Sequence, residues 1–220
     1  MLQSSIVKFL KDLAKNNNRP WFEEHRNQYE TAKADFLLFI SSIIKEIGTF
    51  DKPIAELEAK NCIFRINRDV RFSKNKSPYK NNMAGYFNKA GKNGIGAGYY
   101  LHIQPGKSFA AGGIWVPETA VLGKIRQEID YNFDEWKKIL SNSSFKKHFP
   151  AGMESSDRLI RPPKGYEADN PAIEYLKLKN FIVSKAFTDA ELTTKGFEKE
   201  VAKTFKAMKP MVDFFNRAID

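Results

Sequence analysis

Gly98-Tyr99-Tyr100-Leu101-His102-Ile103-Gln104-Pro105-Gly106-Lys107-Ser108-Phe109-Ala110-Ala111-Gly112-Gly113-Ile114-Trp115-Val116 is the stretch that decides the fold. Its first half alternates. Tyr99, Leu101 and Ile103 fall on one face of an extended chain, and Tyr100, His102 and Gln104 on the other, because successive strand side chains point to opposite sides. Pro105-Gly106 is a good turn pair: proline presets the first corner and glycine supplies the positive φ of the second. A second extended run, 108–116, follows at once. Two strands joined by so short a turn are antiparallel.

Upstream, Met83–Lys89 reads as a further strand, with Asn93-Gly94 as the turn pair before Gly98. The three make an antiparallel meander. Residues 62–72 also alternate, with Phe64, Ile66, Val70 and Phe72 on one face and Arg65, Asn67, Asp69 and Arg71 on the other. Arg68 sits out of phase, so it is either buried with a partner or follows a bulge. Downstream, Phe181–Phe187 is the remaining strand.

Helices flank the sheet on both sides in sequence. Ile6, Phe9, Leu10 and Leu13 recur at helical spacing, and Asn16-Asn17-Asn18 ends that helix. Pro20 opens a second, expected to run to Gly48 as one helix of about 27 residues with Trp21, His25, Tyr29, Ala32, Phe36, Phe39, Ile40, Ile43 and Ile47 on one face. Pro117 opens another, through Ile129. Asn132 is expected to cap the next, with Glu135 three residues on and Tyr131 and Trp136 stapling the cap. Leu159–Tyr166 is an extended connector, and Asn170-Pro171 starts a helix. Thr188 with Glu191 is a capping box. The last helix carries Phe197, Val201, Phe205, Met208, Val212 and Phe215 on one stripe, with a kink expected near Pro210. The fold expected is α+β: an antiparallel sheet of about four to six strands with helices packed mainly on one face. No repeat or linker divides the chain, so residues 1–220 read as a single domain.

Composition narrows the class. With 42% hydrophobic and 28% charged residues the chain is an ordinary globular protein. The single cysteine, Cys62, rules out an internal disulfide and a four-ligand Cys/His metal site of the usual spacing. Charges interrupt the first apolar run, so it does not read as a signal peptide, and the longest apolar stretch, Phe36–Ile40, falls far short of the ~20 residues that span a bilayer. The chain reads as cytoplasmic and free of membrane. No cofactor or metal motif is present: Gly91–Gly98 is glycine-rich but leads into a strand, where a phosphate loop needs a helix.

The net charge of +10 favours anionic partners. Half of it sits between Arg65 and Lys80, where Arg65, Arg68, Arg71, Lys74, Lys76 and Lys80 face one carboxylate, Asp69. Arginine forks fit phosphate and carboxylate groups. One reading is therefore a pocket for an anionic small molecule. Arg65, Arg68, Arg71 and Lys76 would bind it, and Asp69, Tyr79 or His102 would supply acid/base chemistry. The other is an Arg–Asp ladder with a purely structural role. His102 is either an acid/base group on a polar sheet face or an ordinary hydrogen-bonded histidine. Ala110-Ala111-Gly112-Gly113 marks close approach of either a ligand or a helix.

These residues resemble a bacterial family known as domain of unknown function 2461. The likeness rests on Arg65-x-x-Arg68-Asp69-x-Arg71-Phe72 followed by Asn75-Lys76 and Tyr79. It extends through Asn17-Asn18-Arg19-Pro20-Trp21-Phe22 with Arg26 and Tyr29, Gly98–Ile103, Gly112-Gly113-Ile114-Trp115 and Arg161–Gly165. The resemblance implies one domain of about this length and carries over no activity. Three functions therefore compete on the residues alone: an anionic small-molecule site, with or without catalysis; a non-catalytic interaction module; and nucleic-acid binding through Lys74, Lys76, Lys80, Tyr79 and Tyr86. Oligomeric state is not encoded legibly.

Overall fold

Strand order follows chain order. In the computed structural model, which describes residues 1–154 and 156–219, β1 (Met83–Phe87), β2 (Gly98–Ile103), β3 (Ser108–Ile114) and β4 (Phe181–Phe187) form one antiparallel sheet, β1-β2-β3-β4. The architecture is α+β, with four strands at the lower end of the expected number. The Pro105-Gly106 turn is type II: Lys107 N donates to Gln104 O at 2.8 Å and Gly106 has φ +73°. Between β1 and β2 the loop contains a 3-10 turn, Gly91–Asn93, closed by Gly94 N on Gly91 O at 3.1 Å.

The chain groups into two compact units. The first comprises Met1–Gly94, Tyr100–Ala110 and Ala186–Lys203, the second Ile95–Tyr99, Ala111–Lys185 and Thr204–Asp220.

In the first unit, α1 (Ser4–Lys15) buries Ile6, Phe9, Leu10 and Leu13. Asn18 caps α2 (Arg19–Glu24) by accepting from Trp21 N at 3.0 Å. The long helix expected from Pro20 to Gly48 is interrupted: α2 ends and α3 (Arg26–Gly48) begins at His25, whose backbone leaves the helical region at φ −104°, ψ 17°. The cause is local. His25 Nδ1 donates to Trp21 O at 2.8 Å while its ring stacks on the Trp21 indole at 4.2 Å, and this side-chain bond competes with the helical ladder. The rest of the apolar stripe holds, with Ala32, Phe36, Phe39, Ile40, Ile43 and Ile47 buried.

Residues 62–72 do not form the expected strand. Cys62 ends α4 (Ala59–Cys62), and only isolated bridges, Ile63 to Gly85 and Asn67 to Tyr79, remain of the pairing. Ile66 is buried as its phase requires, but Phe64 is 39% and Phe72 96% exposed. The chain reverses over 69–77, so the alternation has no second half of a strand to describe.

In the second unit, α5 (Thr119–Tyr131) and α6 (Phe133–Ser141) follow one another with Asn132 alone between them. The expected cap and staple are absent. Asn132 N donates to Glu128 O and Asn132 O accepts from Trp136 N, both at 3.0 Å, so the backbone keeps turning instead of extending into a cap. The Asn132 side chain donates back to Glu128 at 3.0 Å, Tyr131 stands in solvent, and Trp136 is buried against Phe214 and Phe215, 5.2 Å from each. After α7 (Ser143–His148) comes the connector containing Leu159–Tyr166, then a single turn, α8 (Ile173–Leu176). The glycine run of β3 is filled by protein: a Cβ on Gly112 would meet Met208 Sδ at 2.5 Å, and one on Gly113 (φ +121°) would meet Phe181 O at 1.8 Å. A helix and a strand, not a ligand, take that space.

The Thr188 capping box of α9 (Asp189–Leu192) is present in full, with Thr188 N donating to Glu191 at 2.7 Å. The closing helix α10 (Phe197–Ile219) runs through Pro210 and buries its apolar stripe.

Candidate functional site

The basic segment folds as a short hairpin on the first unit. Lys80 N donates to Ile66 O at 2.8 Å and Arg68 N to Pro78 O at 2.9 Å, so 66–68 lie beside 78–80. Phe64 N donates to Ala84 O at 3.1 Å, which ties the hairpin root to β1. The loop 69–77 closes its far end.

Most of the cations in this loop bond to the loop itself. Arg68 donates through Nη1 to Ser77 O at 3.0 Å and through Nη2 to Ser73 Oγ at 3.2 Å. Its out-of-phase position thus reflects partial burial with partners. Lys76 Nζ donates to Val70 O at 3.1 Å. Arg71 forks onto Asp69, at 3.0 Å from Nε and 2.6 Å from Nη2. The Arg71 guanidinium and backbone N–H, with a smaller field from Arg65, hold the Asp69 carboxyl below the usual carboxylate range.

Tyr79 is not at this surface. Its ring is buried against Phe22 at 4.0 Å, and Asn17 clamps its backbone: Tyr79 N donates to Asn17 Oδ1, and Asn17 Nδ2 donates to Tyr79 O, both at 3.0 Å. The three-asparagine run does more than end a helix. Asn17 sets where the hairpin returns, a role its sequence neighbours do not announce.

Arg65 and Lys80 differ from the others. Among the described residues neither side chain has a hydrogen-bond or ion-pair partner. Arg65 is exposed, and the half-buried Lys80 places its ammonium 5.5 Å from the Phe64 ring centroid. Burial, then the positive charge of Arg65, pushes the Lys80 amine below its ordinary range. Lys80 belongs to the charged segment read from sequence, but its pairing with Arg65 follows only from the hairpin register.

His102 lies in an aromatic patch that begins at this root. Phe64 meets Tyr100 edge-on at 6.3 Å, and the His102 ring stacks on Phe109 at 4.8 Å. Gln104 Oε1 accepts from His102 Nε2 at 3.0 Å, so Nδ1 is the unprotonated nitrogen, and it accepts from the Tyr100 hydroxyl at 3.0 Å. Burial lowers the His102 pKa, with the Gln104 bond opposing. The imidazole is held neutral with both nitrogens engaged.

The structure thus gathers Arg68, Asp69, Arg71 and Lys76 in one loop, but on separate acceptors. It sets Arg65 beside Lys80 at the root and Tyr79 beneath the helices of the first unit. Clefts of about 770 Å³ around Ile44, Ala55 and Leu57, and about 420 Å³ around Glu56, Asn61 and Lys92, contain no residue of the segment. Among the described residues no three His, Cys, Asp or Glu side chains gather as a metal-ligand set, and no helix is long and apolar enough to cross a membrane.

A family model described as a conserved hypothetical protein, DUF2461, matches residues 5–214. The chain belongs to the DUF2461 family. Neither the curated proteins nor the solved structures contain a match to it. Membership in DUF2461 brings no reaction or ligand with it, so function rests on the side chains just described.

Proposed function

We propose that this protein binds an anionic ligand, bearing phosphate or carboxylate groups, at the step formed by Arg65 and Lys80, and that it acts as a binding protein without acid/base chemistry. The observation that carries this reading is the pair itself: two cations at a hairpin root whose side chains have no acceptor among the described residues. Their mutual repulsion and the partial burial of Lys80 leave positive charge that an anion would relieve. A guanidinium fork beside an ammonium suits a tetrahedral or planar oxyanion. Asp69 does not compete for that place, because Arg71 holds both its oxygens.

Absence of catalysis is favoured by the three candidate acid/base groups. Asp69 is fixed on Arg71, Tyr79 is buried on Phe22, and His102 has no unengaged nitrogen. Arg68 and Lys76 serve the loop's shape, and Arg71 remains as an outlying cation.

Calorimetric titration with inorganic phosphate and with citrate, at low ionic strength, tests the reading. Saturable binding is expected in the parent protein, weakened about tenfold or more by Arg65→Ala and by Lys80→Ala, since each removes a charge-assisted contact. Arg71→Ala is expected to change it far less. Absence of saturable binding, or affinity indifferent to Arg65→Ala, would overturn the proposal.

A further inference from the structure

We infer, building on the anion site just proposed, that the natural ligand is single-stranded nucleic acid, with Phe72 at the loop tip stacking on a base while Arg65 and Lys80 at the root hold backbone phosphate.

The starting observation is Phe72, 96% exposed. A single exposed apolar side chain is ordinary. What sets this one apart is the loop that carries it. Ser73 N donates to Val70 O at 3.3 Å and Ser77 N to Asn75 Oδ1 at 2.9 Å. Arg71 N donates to Asp69 Oδ1 at 3.2 Å, and Arg68 and Lys76 reach back to Ser77, Ser73 and Val70. Ordering a loop opposes folding by about 1–2 kcal/mol per residue. Here three charged side chains restrain one whose most apolar residue faces water. The arrangement is a preorganised post: the ring is presented to solvent with the Arg71 guanidinium carbon 5.8 Å from its centroid.

The charges around the post set the ligand class. Arg71 and Lys74 stand in solvent at the tip, and Lys74 has no partner among the described residues. Arg65 and Lys80 stand at the root. The hairpin keeps the two groups apart: 66–68 lie beside 78–80 at the root, the loop 69–77 closes the far end, and Arg71 there is already held by Asp69. A ligand that uses the whole hairpin therefore carries anionic groups in series together with an exposed planar ring. An oligonucleotide has both, and only a single strand offers an unstacked base to the ring. Polyphosphate or an acidic peptide would satisfy the cations and leave Phe72 without a contact.

The test is fluorescence anisotropy of labelled oligo-deoxythymidine and oligo-uridine of about twelve nucleotides, at low and high salt, with the phosphate titration run in parallel on the same variants. Binding at low salt that falls steeply as salt rises is expected. Phe72→Ala is expected to weaken it about tenfold, Phe72→Trp to restore it, and both to leave melting temperature and phosphate affinity unchanged. The inference fails, with the anion site intact, if phosphate titrates but the oligonucleotide does not bind, or if Phe72→Ala is neutral and polyphosphate competes as strongly as oligonucleotide. Phe72-dependent sedimentation with phosphatidylserine/phosphatidylcholine vesicles, without oligonucleotide binding, would overturn it in favour of a bilayer surface. Loss of phosphate titration in the parent protein would instead remove the anion site beneath it.

Discussion

Arg68 and Arg71 are three residues apart in one basic segment and answer to different physics. Arg68 is half-buried and closes the hairpin loop through Ser77 O and Ser73 Oγ. Arg71 lies in water with Asp69 two residues away. Arg68→Ala is therefore expected to lower the stability of the loop, by about 1–2 kcal/mol for two lost bonds, seen as faster amide exchange across 69–77. Arg71→Ala is expected to leave the melting temperature unchanged, because exposed pairs contribute little; the reverse pattern would show that the ladder, not the loop, is structural. Charge and residue type made the segment conspicuous in the sequence, but which arginine stays unpaired depends on where the chain reverses. The phase of Phe64, Ile66, Val70 and Phe72 implied a strand. Ser73, Asn75 and Ser77-Pro78 are turn-forming residues and were the signal that the strand stops.

At the scale of elements, the hairpin of β2 and β3 was legible almost to the residue, because alternation and a Pro-Gly turn are local signals that tertiary contacts reinforce. The break at His25 was not. It depends on an imidazole bonding back to Trp21 O, and helical periodicity is blind to that. The small-residue run of β3 pointed to close approach without saying by what; Met208 and Phe181 are what approach.

The same β2 face bears on pH. His102 is held neutral, so its folded pKa lies below its unfolded value. As pH falls through the unfolded value near 6.5, the unfolded chain takes up a proton that the folded chain refuses, and stability drops. Above that value the contribution is fully present. Denaturant midpoints measured between about pH 7.5 and 5.5 are expected to fall in the parent protein and to fall less in His102→Gln. Equal slopes would mean that burial does not hold the His102 imidazole neutral.

For the whole molecule, β2, β3, β4 and α10 each contribute residues to both compact units. We propose on that ground that residues 1–220 unfold as one domain. Single-tryptophan variants retaining either Trp21, in the first unit, or Trp136, in the second, are expected to report coincident thermal transitions. Two separated midpoints would divide the chain. The overall charge of +10 was read from composition alone, and it draws anions toward the protein without choosing a site. The choice falls to the hairpin root, where register brings together two cations that no acid among the described residues neutralises.

The most direct test is the Lys80 ammonium followed by NMR through its own titration, with and without inorganic phosphate. Its pKa starts below that of an ordinary lysine because of burial and Arg65. Phosphate seated between the two cations is expected to raise it, and the rise is expected to vanish in Arg65→Ala. A Lys80 titration that phosphate leaves where it was would contradict an anion site at this root.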